Sequence, residues 1–361
     1  MGQTDIDKEK LIKFLQRSFN VLPRPYTNGL STHSSLVYFI VSGLDLLGRL
    51  DLLDSQKEHI ISWAYSLQIL PSQNNQSDEV NIKNCGFRGA HYIGLPFLDC
   101  RTIQSDQSLP PPLECDIPNL ANTYCSLLIL RILGDDFSGI NKKAIIKSLK
   151  YHQRPDGSFS GSADNMENDM RYLFCACAIS FMLNDWSGMD TDLAYQYIVS
   201  SQTYEYAFAQ GPNQEAHGGY TYCALSALAL MNKLKDTPHQ DQLLYWLVNR
   251  QFTGFNGRCN KDVDTCYSFW VGASLDILSK YHNVIDENLV KGFTIASQHE
   301  SIGGIAKEPQ QVPDLMHNYL SISGLSILGH PSVLPLNSVL GISQRAAGAD
   351  WNNKLINQLS K

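Results

Sequence analysis

The stretch KDVDTCYSFWVG, Lys261 to Gly272, sets two aspartates and a cysteine beside Tyr267, Phe269 and Trp270. A histidine, His317, follows Cys266 by 51 positions. Carboxylate, thiolate and imidazole are donors that hold zinc, and three protein ligands leave a fourth position for substrate. A thiol bound to such a centre is held as the thiolate, a nucleophile at neutral pH. Asp264, Cys266 and His317 also fit an ordinary core, because cysteine is among the most buried residues and a lone helical histidine is commonly structural.

Cations gather near the same places. Arg171 opens the helix of ENDMRY, His217 precedes GGY, and Arg258 and Lys261 flank the Lys261 stretch. Backbone N–H groups at a glycine-rich helix start, with Arg, Lys and His, suit a diphosphate. As isolated charges they read equally as a solvated rim. Tyr220, Phe269 and Trp270 either fill core or line an apolar cavity beside the anion site, a cavity that suits a long hydrocarbon diphosphate.

A repeat positions these residues. Glycine-aromatic turns recur at Cys85–Gly89, Asp156–Gly161, His217–Tyr222 and Gly254–Gly257, with GGIAK at Gly303–Lys307 as a fifth. Each precedes an apolar helical stretch, and Tyr124, Tyr172, Tyr222, Tyr267 and Tyr319 mark these at intervals of 48, 50, 45 and 52 residues. Such a period signals stacked supersecondary units. Amphipathic stretches such as NKKAIIKSLKYHQ alternate with them, so each unit is a helix pair. An earlier stretch, Ser34–Leu50, has the same character. Helix pairs bury their apolar faces by stacking, as an open solenoid or a closed α/α barrel. Stretches as uniformly apolar as LFCACAISFML belong inside a ring, with the amphipathic helices outside. The expected fold is all-α: one α/α barrel of about six helix pairs over residues 1–361, with 1–15 and 345–361 as peripheral tails. The starts of its inner helices converge on one mouth, where Asp264, Cys266 and the cations gather. The loop-rich stretch from Ser72 to Pro118 interrupts the rhythm without forming a domain.

With 28 Lys+Arg against 35 Asp+Glu, the formal charge of −7 offers no basic field for a nucleic acid. Nine cysteines without a CxxC pair read as reduced, mostly buried thiols of a cytoplasmic protein. The start, MGQTDIDKEK, has no apolar signal region, and Ile6 stands where a myristoylation signal requires Ser or Thr. No apolar run is long enough to span a bilayer, so stable membrane insertion is not expected.

The blocks NCGFRG, ILGDD, ENDMRY, WSGMD, AQG…HGG and VDTCYSFWVGA, in order from about Gln16 to Leu328, resemble the beta subunits of protein prenyltransferases. The resemblance implies an α/α barrel and one Zn²⁺ held by Asp264, Cys266 and His317. It implies that the cysteine of a C-terminal CaaX peptide attacks C1 of an isoprenoid diphosphate held by His217, Arg258, Lys261 and Tyr267. It places Arg171 on the lipid and peptide cavity, with Tyr220 and Trp270 along it. Ser35 stands where farnesyltransferases resemble a barrel plugged by tryptophan, which implies room for a fourth isoprene unit and hence geranylgeranyl diphosphate. Leu320 replaces a tyrosine of farnesyltransferases. Lys307 stands where those enzymes place a magnesium-binding aspartate, so no Mg²⁺ requirement is expected; a lysine there can neutralise the leaving diphosphate itself. Asn119 replaces a family histidine near the pocket for the last CaaX residue. The implied partners are a prenyltransferase alpha subunit and Rho-type small GTPases ending in Leu. Alternatives are a farnesyltransferase or Rab-type beta subunit, a terpene cyclase, whose DxDD motif the chain lacks, or a non-catalytic helical scaffold.

Overall fold

The structure, a computed structural model, describes residues 5–71, 82–91, 97–102 and 117–359. In chain order its longer helices are α1 (Lys8–Asn20), α2 (His33–Leu46), α3 (Lys57–Ser66), α4 (Leu120–Ile132), α5 (Lys142–His152), α6 (Met170–Met182) and α7 (Thr191–Ser200). They continue as α8 (Gly218–Leu230), α9 (Gln240–Val248), α10 (Tyr267–Ile277), α11 (Glu287–Ala296), α12 (Leu315–Ile327) and α13 (Gln344–Leu359). Among the described residues, none of them is long and apolar enough to cross a membrane.

The two expected helix classes are present. In α6 every residue except Arg171 and Tyr172 is buried, and α4, α8, α10 and α12 are buried in the same all-round manner. The helix α5 buries one face only, through Ala144, Ile145, Ile146, Ser148, Leu149 and His152, as an amphipathic helix over a core must. The chain forms two compact units. One comprises Met1–Pro23, Phe39–Leu52 and Ile198–Lys361; the other comprises Arg24–Tyr38 and Leu53–Tyr197. In the first, α10 packs between α8 and α12, and α1 lies against α12. In the second, α4 packs on α6 and α3 on α4.

Glutamines connect the peripheral helices. In the second unit the Gln68 carbonyl accepts the Asn141 N–H at 2.9 Å while its amide donates to the Gly139 carbonyl at 3.1 Å. Gln153 clasps the backbone of Asp190 from both sides, at 2.7 and 2.8 Å. In the first unit Gln202 donates to the Pro238 carbonyl, Gln251 clasps Asp286, and Gln298 clasps Asp7. Asn141, Asp286 and Asp7 are themselves the N-caps of α5, α11 and α1. Each clasp therefore ends one peripheral helix on the start of another, satisfying backbone groups that helix ends leave open.

The described parts of the segments expected as tails are packed instead. Leu11 and Leu15 of α1 are fully buried, and Trp351 and Leu355 of α13 are buried. Arg345 donates from Nε to Asp45 at 2.7 Å, and Asp45 is itself buried. The reason is amphipathicity, since one stripe of each segment is apolar and finds cover. Of the loop-rich stretch, Gly86–Phe87 pairs antiparallel with Gln68–Ile69; most of the remainder, with Cys115, lies outside the described residues. None of the eight described cysteines forms a disulfide.

One buried histidine makes stability depend on pH. His152 is buried with Nδ1 3.0 Å from the Ser160 carbonyl, a bond that needs the proton on Nδ1. Burial pulls its pKa down from 6.5 to about 4. The unfolded chain therefore binds the extra proton first, so stability is full above pH 6.5 and declines as pH falls toward 4. By pH 5 the loss expected from this group is about 2 kcal/mol. Urea midpoints at pH 7 and pH 5 are expected to differ less for His152→Gln than for the parent; an unchanged difference excludes His152 as the cause.

Candidate active site

Two helix starts and a neighbouring loop in the first unit build a compact donor cluster. The Asp264 N–H donates to the Phe255 carbonyl at 3.0 Å, and Oδ1 of Asp264 accepts the Cys266 N–H at 2.9 Å. Thr265 anchors this turn to the Gly303–Lys307 loop, donating from N–H to the Lys307 carbonyl and from Oγ1 to the Ala306 carbonyl. Asp314 caps α12: Oδ1 accepts the His317 N–H at 3.0 Å, and Oδ2 holds His317 Nδ1 at 2.5 Å. That contact leaves Nε2 to face Asp264 Oδ1, 3.4 Å away. One ligand atom each from Asp264, Cys266 and His317 lies within 4.8 Å of the others.

The electrostatics of the cluster call for a cation. Burial opposes charge on His317, yet the carboxylates of Asp264 and Asp314 push its pKa up to about 9. Burial likewise raises both aspartates, but His317 holds them below the usual carboxylate range. Burial, with Asp264 alongside, pushes the Cys266 thiol well up. Two carboxylates thus share one positive charge, which a divalent ion can supply in place of the imidazole proton. The O, N and S donors fit zinc, and Asp314 behind the imidazole is the outer carboxylate that fixes a ligating histidine.

A second group lies on α8 and α10. His217 caps α8, its Nδ1 accepting the Gly219 N–H at 3.0 Å. The ring proton therefore sits on Nε2 and is donated to the Tyr267 hydroxyl at 3.0 Å. Burial, then nearby Arg258, lower the His217 pKa, which keeps it neutral. Tyr267 retains its phenolic hydrogen, and burial pushes its pKa up. The ring passes so close to Gly257 that a Cβ there would stand 2.2 Å from the hydroxyl oxygen. Only glycine permits that approach. Arg258 pairs with Glu215 at 2.5 Å, both partly exposed. Lys261 and Lys307 are exposed, and among the described residues neither ammonium makes an ion pair or hydrogen bond.

Apolar side chains adjoin this group. Tyr222, Phe269 and Trp270 pack at ring separations of 4.8 to 5.3 Å, and Trp270 remains half-buried. Tyr220 lies 5.2 Å from the His217 ring, and Leu320 is buried on α12. In the second unit a cavity of about 370 Å³ is lined by Ser35, Asn119, Asn122, Arg171 and Tyr172 among others. There Asn119 caps α4 by accepting the Ala121 N–H at 2.8 Å, and Cys125 Sγ lies 3.6 Å from Ser35 Oγ. Arg171 is committed to Asp169, at 2.5 Å, and to Glu167 at 3.3 Å.

Nine of the fourteen expected residues thus fall into three sets: Asp264, Cys266 and His317; His217, Tyr220 and Tyr267; and Ser35, Asn119 and Arg171; Arg258, Lys261, Lys307, Trp270 and Leu320 stand outside them. Sequence reasoning missed Asp314 and Glu215. Asp314 carried a signal, an aspartate three residues before a histidine at a helix start, which is a capping pattern; Glu215 carried none. Tyr267→Phe leaves the His217 Nε2–H without its acceptor, at a cost of about 1–3 kcal/mol. The expected outcome is a lowered melting temperature with metal binding retained; an unchanged melting temperature excludes the His217–Tyr267 bond as a support.

The "Prenyltransferase alpha-alpha toroid domain" model matches residues 6–342. Among curated proteins, the chain is 54% identical over 353 residues to "Geranylgeranyl transferase type-1 subunit beta" of Dictyostelium discoideum, covering 97% of this chain and 99% of the relative. The Arabidopsis thaliana protein of the same name is 35% identical, over 95% and 90% of the two chains. Among solved structures, "Candida albicans protein geranylgeranyltransferase-I complexed with GGPP" is similar with a TM-score of 0.80 and 25% identity, over 99% of this chain and all of that one. The paired helices, the polar residues at inner helix starts and these likenesses agree: the chain belongs to the prenyltransferase alpha-alpha toroid family.

Proposed function

We propose that the chain is the catalytic beta subunit of a protein geranylgeranyltransferase type I. The reaction joins the cysteine of a C-terminal CaaX protein, X preferably Leu, to C1 of geranylgeranyl diphosphate as a thioether and releases diphosphate. The observation that carries this reading is the Asp264–Cys266–His317 cluster with Asp314 behind it, in a chain with a 54% identical relative named for this activity. Zinc at that cluster supplies a Lewis acid that keeps a substrate cysteine as thiolate.

The chain's own residues bind and orient. Tyr267 donates its phenolic hydrogen to the diphosphate while His217 holds the phenol in place. Arg258 turns from Glu215, an exposed pair that contributes little to stability, toward the phosphates, and Lys261 and Lys307 add charge there. A lysine at Lys307 stabilises the departing diphosphate without Mg²⁺. Tyr220, Trp270 and Leu320 exclude water from the lipid. The partners of this reading are a prenyltransferase alpha subunit and Rho-type GTPases, in the cytoplasm.

A competition assay tests the reading. The chain, co-expressed with an alpha subunit and supplied with zinc but no magnesium, is offered C15 and C20 diphosphates with peptides ending in CaaL and CaaM. Preferential C20 transfer to CaaL is expected. Preferential C15 transfer indicates a farnesyltransferase, and transfer only to Rab-type substrates indicates that class. A folded protein without stoichiometric zinc or transfer is a scaffold.

A further inference from the structure

A pocket of about 700 Å³ in the first unit, lined by Tyr204, Glu205, Tyr245, Trp246, Arg250 and Cys259 among others, has no part in the chemistry above. Arg250, 7% exposed, lies at its wall with the guanidinium 4.7 Å over the Trp246 ring. Its acceptors are neutral: the Trp246 carbonyl at 3.3 Å from Nε and Asn256 Oδ1 at 3.4 Å. Among the described residues no carboxylate forms an ion pair with it. A buried cation without an anionic partner is costly. Cys259 lines the same pocket, where Arg250 favours its thiolate, and its thiol donates to Glu205 Oε1 at 3.0 Å.

We propose that Cys259, Glu205 and Arg250 form a reactive-thiol site that a peroxide oxidises to the sulfenic acid. As the sulfur attacks, the S–H proton passes along the 3.0 Å bond to the Glu205 carboxylate, and the charge developing on sulfur faces the pocket that Arg250 lines. The sulfur attacks hydrogen peroxide; an S–O bond forms as the O–O bond breaks. Sulfur gives up two electrons to the peroxide, and the departing hydroxide takes the proton from Glu205 to leave as water. At rest the carboxylate keeps the proton on sulfur, which holds the thiol pKa up, while Arg250 pulls it down; the base acts as the bond forms.

The other described cysteines lack this setting. Cys85, Cys125, Cys175, Cys177, Cys223 and Cys266 are buried. Cys100 is half-buried, accepts from the Gln68 amide at 2.8 Å, and is pushed up to about 11 by burial. The site is independent of prenyl transfer, so its test reads the sulfur and not turnover.

The full chain, alone and with its alpha subunit, is exposed briefly to substoichiometric hydrogen peroxide at pH 7. Sulfenic acid is trapped with a 1,3-dicarbonyl and located by peptide mass spectrometry. Cys259 is expected to carry at least about ten times the label of Cys100, in one or both preparations. Glu205→Gln, which keeps the side chain's size, is expected to slow Cys259 labelling by about tenfold. Equal labelling of Cys259 and Cys100 in both preparations, or a Glu205→Gln protein labelled as fast as the parent, overturns the proposal. Arg250→Lys, if it folds by its melting curve, is expected to slow labelling as well, since an ammonium lacks the planar fork.

Discussion

Replacing Cys266 by alanine is expected to remove stoichiometric zinc and to lower geranylgeranyl transfer at least about a hundredfold. The size follows from what is lost. A free thiol near its ordinary pKa is only a few per cent thiolate at neutral pH. Without the cluster the peptide cysteine also loses its fixed position relative to C1. The backbone of the turn should survive, because Thr265 anchors it through the Lys307 and Ala306 carbonyls and not through sulfur. Affinity for the lipid diphosphate is therefore expected to stay within about twofold, since His217, Tyr267 and Arg258 stand on other contacts. Asp314→Asn gives a graded version: the amide oxygen can still cap α12, but the charge behind His317 Nδ1 is gone. Zinc affinity should fall about 10–100-fold, and excess zinc should restore transfer. Metal analysis of both variants beside transfer rates decides the matter. Full zinc and full rate in Cys266→Ala would remove the cluster from the chemistry.

Much of this arrangement was legible in the sequence because it depends on side-chain type along single helices. A stretch such as LFCACAISFML has no polar face, so it can only be an interior helix, and α6 is one. The tyrosine spacing exposed the repeat for the same reason. The glutamine clasps went unread, although Gln153, Gln202, Gln251 and Gln298 recur at 49, 49 and 47 residues. A polar residue at a helix end looks like loop until its backbone partner, far along the chain, is known. The two supposed tails failed by position: α1 is amphipathic, but termini are often unordered, and its cover comes from α12. The residue types of the candidate cluster are readable, whereas the charge balance among Asp264, Asp314 and His317 needs three-dimensional placement. Arg171 shows the opposite limit, because its type gave no hint that Asp169 and Glu167 already engage it.

Ser35→Trp is expected to shift the preferred lipid from twenty carbons toward fifteen. Ser35 lies on α2, half-buried, at the wall of the cavity of about 370 Å³. On the proposed reading, an indole placed there takes up the space of the fourth isoprene unit. Burying five carbons is worth about 4 kcal/mol at roughly 0.8 kcal/mol per carbon, so losing that burial corresponds to about a thousandfold. Relaxation of the wall and of the lipid will recover part of it, so a change of about 10²–10³ in the ratio of C15 to C20 kcat/KM is expected. If Ser35 marks the end of the tunnel, the change comes from a fall for the C20 substrate, with the C15 value nearly constant. Zinc content and melting temperature report separately on the fold, since Asp264, Cys266 and His317 lie on α10 and α12 and their approaches. An unchanged lipid preference in a folded, zinc-loaded Ser35→Trp protein would show that the fourth unit ends elsewhere, and chain-length selection would then have to be sought beside Leu320 and Trp270.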